Sequence, residues 1–287
     1  MAAAAPESIP ADVVCDMLAL YGVDVHANQF ASPHLCAGLR AKCRKGTLLH
    51  KAAEAGDVPM VQAALAAGCE VDVGDNLGSS ALHIAASHGR VDAVRVLLDA
   101  GADPDRRHAR SRWTALFCAA HTGHAAAMDL LLKGGADVMC VDDIEMTPLH
   151  IAAQKGHAAA VRILLDAGAD ANGMNEEDAP PLYYALVEGH RSCLGPLLQG
   201  GANFDDRFVN DELEKARRDN YHDSAFRYMD RVQAAGGYDQ LVQMYRRVLT
   251  APRGCLVKYL AFRFGLGAFP HDLVPLVLDF WKPPGGP

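Results

Sequence analysis

The chain has 287 residues, of which 50% are hydrophobic and 22% are charged, so it is long enough to bury a sizeable core. Its formal net charge of −8 argues against nucleic acid as a partner, because phosphate binding normally needs a basic face. No apolar run approaches the roughly 18 residues of a membrane span, so we expect no membrane segment.

The start of the chain has no basic stretch followed by an apolar one, and acidic residues argue against a transit peptide. The eight cysteines are scattered, without a Cys-x-x-Cys pair or zinc-finger spacing. We therefore interpret them as ordinary thiols and expect no metal site. A reduced compartment follows, which we take to be the cytoplasm, with the nucleus as the alternative.

A tetrapeptide close to Thr-Pro-Leu-His recurs with a period of about 33 residues. Copies start at Thr47, Ser80, Thr114 and Thr147, with a fainter one at Pro180. Each copy leads into small residues, a Gly, a run of Val and Leu, and then Gly-Ala-Asp or a close variant. Self-similarity at this period predicts stacked helical units, whose usual product is a binding surface.

Each position of the repeat has a mechanical reason to be there, shown here for the fourth copy. Thr147 can cap a helix and Pro148 suits its first turn, where a missing N–H costs nothing. Gly156 ends that helix, and a second helix through Leu164 stops at Gly168. Neither short helix can bury its apolar face alone, so each unit is expected to be stable only against its neighbours.

The sequence from Thr147 to Asp170 resembles the ankyrin repeat family, and the resemblance extends over roughly residues 47 to 235. It implies an all-α fold, namely an ankyrin-repeat solenoid of helix-turn-helix units with helical terminal caps. We expect an N-terminal helical cap over 1–46 and five repeats over 47–205. The expected repeats span 47–79, 80–113, 114–146, 147–179 and 180–205, followed by a degenerate capping repeat over 206–237 and a C-terminal helical segment over 238–287.

The histidines look like a source of chemistry, but their positions follow the repeat. His50, His83 and His150 fill the tetrapeptide slot, where the resemblance implies hydrogen bonds that tie successive loops together. No nucleophile elbow, phosphate-binding loop or His-Glu-x-x-His motif occurs in the sequence. We therefore expect a non-catalytic protein-interaction module without a cofactor, and a monomer, because a capped array has no intrinsic need to dimerise.

In ankyrin arrays the partner usually contacts the loop tips before the Thr and the last exposed positions of each first helix. Carried onto this chain, the predicted tip contacts are Asn76, Leu77, Ser79, Arg110, Ser111, Trp113, Asp143, Ile144, Met146, Glu176 and Glu177. The predicted helix contacts are Ser87, His88, His121, Gln154 and Lys155.

Charge on the predicted tips is segregated. The third repeat approaches its tip with four arginines beside Trp113, whereas the next two tips are acidic. We interpret Trp113 as the anchor of an interface, because buried Trp and Arg dominate interface energetics. The alternative is that these charges are merely solvated and that Trp113 packs on a neighbouring tip. The usual tip glycine is replaced by Arg112, Glu145 and Asp178 in three tips, so we expect reshaped turns there.

The C-terminal segment allows two interpretations. Its apolar helical pattern, a Gly-Leu-Gly break and a Phe-Pro-x-x-Leu stretch resemble a SOCS box, and the Pro-led helix resembles the opening of an F-box. That resemblance implies a substrate-recognition subunit of a cullin-type ubiquitin ligase, with an adaptor contacting Leu256, Leu260, Leu273 and Leu278. The other interpretation is that the segment closes the end of the solenoid.

Overall fold

The computed structural model describes residues 47–66, 68–75, 77–204, 207–218, 224–241 and 243. In this part of the chain the regular secondary structure is helical and no strand occurs. The chain divides into two compact units between Ile151 and Ala152. The fold class is all-α, as the sequence predicts.

Short helices joined in pairs build the first unit. Its pairs are α1 (Thr47–Ala55) with α2 (Val58–Ala66), α3 (Ala81–Ser87) with α4 (Val91–Asp99), and α5 (Ala115–Thr122) with α6 (Ala125–Lys133). Helix α7 (Pro148–Gln154) begins in this unit and ends in the next.

The pairs of the first unit stack through equivalent buried positions. The first helices α1, α3 and α5 contact one another in that order, and so do α2, α4 and α6. Leu82 and Ala85 of α3 and Val94 and Leu97 of α4 are at most 1% exposed. Helices of seven to nine residues are marginal alone in water. Packing between neighbouring pairs therefore stabilises them.

The second unit repeats this construction. It contains α8 (Ala158–Asp166), α9 (Pro181–Val187), α10 (Arg191–Gln199), α11 (Arg207–Arg218) and α12 (Ser224–Ala234). Helix α10 contacts α8, α9 and α12, while α11 contacts α9 and α12. The α11 and α12 pair lies in the segment predicted to be a capping repeat, and that role stays a prediction.

Buried histidines tie each loop to the next repeat. The backbone N–H of Ser80 donates to Nδ1 of His83 (3.2 Å), so the ring proton is on Nε2, which donates to the carbonyl of Trp113 (3.0 Å). Nε2 of His50 lies 2.7 Å from the carbonyl of Ser79. These bonds confirm the structural role predicted for His50 and His83. Burial lowers the pKa of His83 below its ordinary value, which keeps the ring neutral.

A second set of ties joins the turns that follow the second helices. The carboxylate of Asp72 accepts from the backbone N–H of Asp103 (3.2 Å), and Asp105 accepts from Asp137 N–H (2.7 Å). Within the second unit, Asn172 accepts from Asn203 N–H (2.7 Å). Both sets of bonds therefore join neighbouring repeats at the loops that follow the second helices.

Candidate functional site

Four loop tips precede the first helices, and each closes by a side chain that accepts backbone N–H groups. We call residues 75–79, 108–113, 142–146 and 175–179 the second, third, fourth and fifth tips. In the second tip, Oδ1 of Asp75 accepts from the N–H of Leu77 (2.8 Å) and of Ser79 (2.9 Å). Equivalent bonds hold the other two oxygen-capped tips, to Asp142 in the fourth and Asn175 in the fifth.

The third tip is built differently. It is one residue longer, and its capping group is Nδ1 of His108, which accepts from the N–H of Arg110 and of Ser111, both at 3.2 Å. Its turn closes with an Arg112 N–H to His108 carbonyl bond (3.0 Å). Sequence analysis did not single out His108. The signal was present, because the repeat that starts at Ser80 is one residue longer than its neighbours.

The turn conformation survives the loss of the usual glycine. Gly78 has φ +86°, and the residues in its place, Arg112, Glu145 and Asp178, have φ of 55°, 58° and 58°. The fourth and fifth tips keep the backbone turn bond of the second tip. The N–H of Glu145 donates to the carbonyl of Asp142, and the N–H of Asp178 donates to the carbonyl of Asn175. The expectation of reshaped turns is wrong for these two tips, because the side-chain caps still hold them closed.

Trp113 packs within the repeat array. Its ring stacks on Phe117 of α5 (centroids 5.9 Å apart) and lies against His121 (5.2 Å). Its Nε1 donates to Oδ2 of Asp142 in the fourth tip (3.4 Å), and the residue is half-buried. This is the packing on a neighbouring tip that the sequence left open as an alternative. A role for Trp113 as a partner contact stays a prediction.

The basic third tip is partly neutralised by the fourth. Arg112 lies 3.7 Å from a carboxylate oxygen of Asp143, and Nη1 of Arg107 donates to the carbonyl of Val141 (3.1 Å). Arg110 is exposed, and its side chain makes no hydrogen bond or ion pair within the described ranges. Exposed pairs contribute little stability. Arg110 therefore remains as an available cation on this tip.

A pocket of about 180 Å³ lies where the second and third tips meet helix α3. This volume is below the roughly 300–1,000 Å³ of typical small-molecule sites. Four predicted contacts meet here, and the lining is formed by Ser79, His83, Ile84, Ser87, His108, Ser111, Trp113 and Cys118.

The remaining predicted contacts of the first unit are divided between surface and core. Leu77 and Ile144, at the same position of two tips, are 51% and 49% exposed. His88 is exposed near Glu54 (4.0 Å), and Asp143 is exposed. Met146 is only 4% exposed, so we correct its prediction as a surface contact.

The other predicted contacts do not meet in this pocket. Lys155, Glu176 and Glu177 of the second unit are exposed and Gln154 is half-buried. Asn76 and the predicted adaptor contacts Leu256, Leu260, Leu273 and Leu278 lie outside the described residues. The ubiquitin-ligase interpretation therefore stays a prediction.

Two features of the described side chains concern metal binding and thiol reactivity. No group of three or more His, Cys, Asp or Glu side chains that could hold a metal ion occurs in the described ranges. Burial raises the pKa of the Cys118 thiol to about 12 and those of Cys140 and Cys193 to about 11, so these free thiols are poor nucleophiles. Cys69 is disulfide-bonded, which corrects our expectation of a thiol at that position.

Comparison with protein families shows which family the chain belongs to. The family model for ankyrin repeats matches three times, over residues 3–108, 49–142 and 116–207. The chain belongs to the ankyrin repeat family. Ankyrin repeats are protein-interaction modules, and the family is generally non-catalytic. Comparison with curated proteins gave no match. In the described part of this ankyrin protein, no helix has the length and apolar character needed to cross a membrane.

Proposed function

We propose that this ankyrin repeat protein binds a partner protein through the second and third tips, with one partner side chain entering the pocket between them. The observation that carries the proposal is the meeting of Ser79, Ser87, Ser111 and Trp113 around a single small pocket. Two tips and an inner helix contribute to it, as expected for a surface that recognises a protein.

Exposed residues of the same two tips indicate the partner's chemistry. Leu77 of the second tip offers exposed apolar area, and Arg110 of the third tip offers an unpaired guanidinium. A segment with an apolar residue and a carboxylate on either side of the inserted side chain would match both. The acidic groups at Asp143 and Glu145 of the fourth tip favour a basic residue further along the partner segment. The order of charges along that segment would then fix which of its residues faces which tip.

Peptide display on the full-length chain tests this proposal. A random peptide library is selected on the wild-type protein, and the affinities of the selected peptides are measured by calorimetry. Ser87→Arg places a long side chain at the pocket, so we expect affinity to fall at least about tenfold. Val187→Arg is the matched control, because Val187 occupies the equivalent helix position of another repeat, is 44% exposed and does not line the pocket.

A second pair of variants tests the exposed tip residues Leu77 and Arg110. Leu77→Ser with Arg110→Glu should weaken the same peptides, whereas Met139→Ser should not, although Met139 is 43% exposed and lies outside the tips. The proposal is contradicted if no peptide is selected. It is also contradicted if Ser87→Arg and Val187→Arg have equal effects.

A further inference from the structure

The cap of the third tip is an ionisable ring, whereas those of the other described tips are side-chain oxygens. Nδ1 of His108 receives two backbone N–H donors, from Arg110 and Ser111, each at 3.2 Å. A nitrogen that accepts these bonds must hold a lone pair rather than a proton. The ring proton is therefore on Nε2, and the closed tip requires neutral His108.

Protonation reverses the role of this cap. Both nitrogens of a charged imidazole are donors, so Nδ1 would then point an N–H at two other N–H groups. Imidazoles change charge between about pH 5 and 8, which is within the physiological range. The carboxylates of Asp75 and Asp142 hold their tips with oxygens that keep accepting hydrogen bonds across that range.

We infer that His108 makes the third tip a pH-sensitive element: the neutral ring closes the tip, and the protonated ring releases the backbone of Arg110 and Ser111. The second half of this inference rests on the proposed function. His108 and Ser111 line the pocket, so release of the turn displaces two of its walls and weakens partner binding.

The groups around His108 are mostly neutral or cationic. Helix α3 contributes the His83 ring, 6.3 Å away between centroids, and α5 contributes the neutral thiol of Cys118 to the same pocket. The tip itself carries Arg110, and the loop before it carries Arg106. Of the acidic groups of the next tip, Asp142 is bonded to Trp113 and Asp143 is paired with Arg112, while Glu145 is exposed.

Among the described residues, one hydroxyl beside the ring could compensate for the lost bonds. Oγ of Ser111 lies 3.2 Å from Nδ1 of His108 and could accept from the charged ring. That bond would leave both amides without their side-chain acceptor. Ser111→Ala is therefore expected to increase the response to acid, because it removes the one alternative partner.

The effect must be separated from a loss of stability in the whole fold. Burial holds the pKa of His83 below that of an unfolded histidine, so the unfolded chain gains a proton first as the pH falls. The stability that neutral His83 contributes is full above about pH 6.5 and decreases below it. A measurement on individual amides distinguishes this global change from opening of one tip.

Nuclear magnetic resonance of the full-length protein gives that measurement. At about pH 7.5, ring nitrogen shifts should show Nδ1 of His108 unprotonated. Between about pH 7.5 and 5.5, protection of the Arg110 and Ser111 amides should fall about fivefold after correction for intrinsic exchange, since each amide loses one bond worth about 1 kcal/mol. The amides of Leu77 and Ile144 are internal controls, because carboxylates cap them.

His108→Asn is the matched variant. Oδ1 of asparagine lies as many bonds from Cα as Nδ1 of histidine, and Asn175 already caps the fifth tip in this way. The variant should keep the Arg110 and Ser111 amides protected at both pH values. The inference is overturned if Nδ1 is protonated at neutral pH, or if the wild type and the variant lose protection equally.

Binding separates the inference from the proposed function. A peptide selected at about pH 7.5 should bind wild type about tenfold more weakly at about pH 5.5, and bind His108→Asn with less than about a threefold change. Equal pH dependence in both proteins overturns the regulatory step and leaves the binding surface intact. Failure to select any peptide contradicts the binding function, while the amide measurement still decides whether the tip opens.

Discussion

The fourth tip closes on the carboxylate of Asp142, whereas the third tip, one residue longer, closes on the imidazole of His108. Asp142 also accepts from Nε1 of Trp113, so a single aspartate holds its own turn and the neighbouring one. The Trp113 carbonyl in turn accepts from the His108 N–H and from the His83 ring. Both tips close on their own side chains, and the third tip is in addition bonded to α3 and to the fourth tip.

The difference shows how one insertion changes the requirements on adjacent repeats. Because the third tip is longer, it brings Ala109 close to Gly78 of the second tip. Because its turn lacks an aspartate, it relies on contacts to α3 and to the fourth tip. Variants at these contacts test how much each contact between neighbouring tips contributes to stability.

The largest effect is expected where the second and third tips touch. A Cβ at position 78 would lie 2.9 Å from the backbone nitrogen of Ala109, and Gly78 has φ +86°. Gly78→Ala should lower the free energy of unfolding by about 3 kcal/mol, from the left-handed backbone and the clash together. Urea unfolding followed by circular dichroism measures the change.

Gly101→Ala is the control for that prediction. Gly101 has the same φ of +86°, but nothing lies within 4 Å of a Cβ there. Gly101→Ala should therefore lower the free energy of unfolding only by the backbone strain, about 1 kcal/mol. Equal losses at the two positions would mean that the approach of Ala109 does not constrain the second tip.

The next effect concerns the link between the third and fourth tips. Trp113→Ala removes the stacking on Phe117 and the bond to Asp142, so we expect a loss of about 2 kcal/mol for this half-buried ring. Trp113→Phe keeps a ring but not the donor and should recover more than half of that loss. If the alanine variant is as stable as wild type, Trp113 is free to serve as the interface anchor.

The smallest effect is a stabilisation of the fourth tip. Glu145 holds φ 58°, a conformation that costs L residues about 1–2 kcal/mol. Glu145→Gly should therefore raise the unfolding free energy by about 0.5 kcal/mol, after the entropy cost of glycine. Arg112→Gly should gain less, because it also removes the pair with Asp143. A loss of stability at Glu145→Gly would contradict this account of the turn.

Much of the fold was predictable because the repeat specifies it locally. The caps, the left-handed glycines and the small residues of the first helices act within one repeat or between neighbours, so their pattern can be read directly. The structural roles of His50 and His83 followed from their slots. The burial of Met146 did not, because it depends on which way the turn around Asp142 directs its side chain.

The sequence alone determined that this chain is a helical ankyrin repeat protein, because a regular period imposes the same packing on each unit. The tertiary structure decided which tip residues are available to a partner. It paired Arg112 with Asp143, bonded Trp113 to Asp142, and left Arg110 and Leu77 exposed. These outcomes depend on distances between residues about 30 positions apart in sequence, which periodicity does not encode.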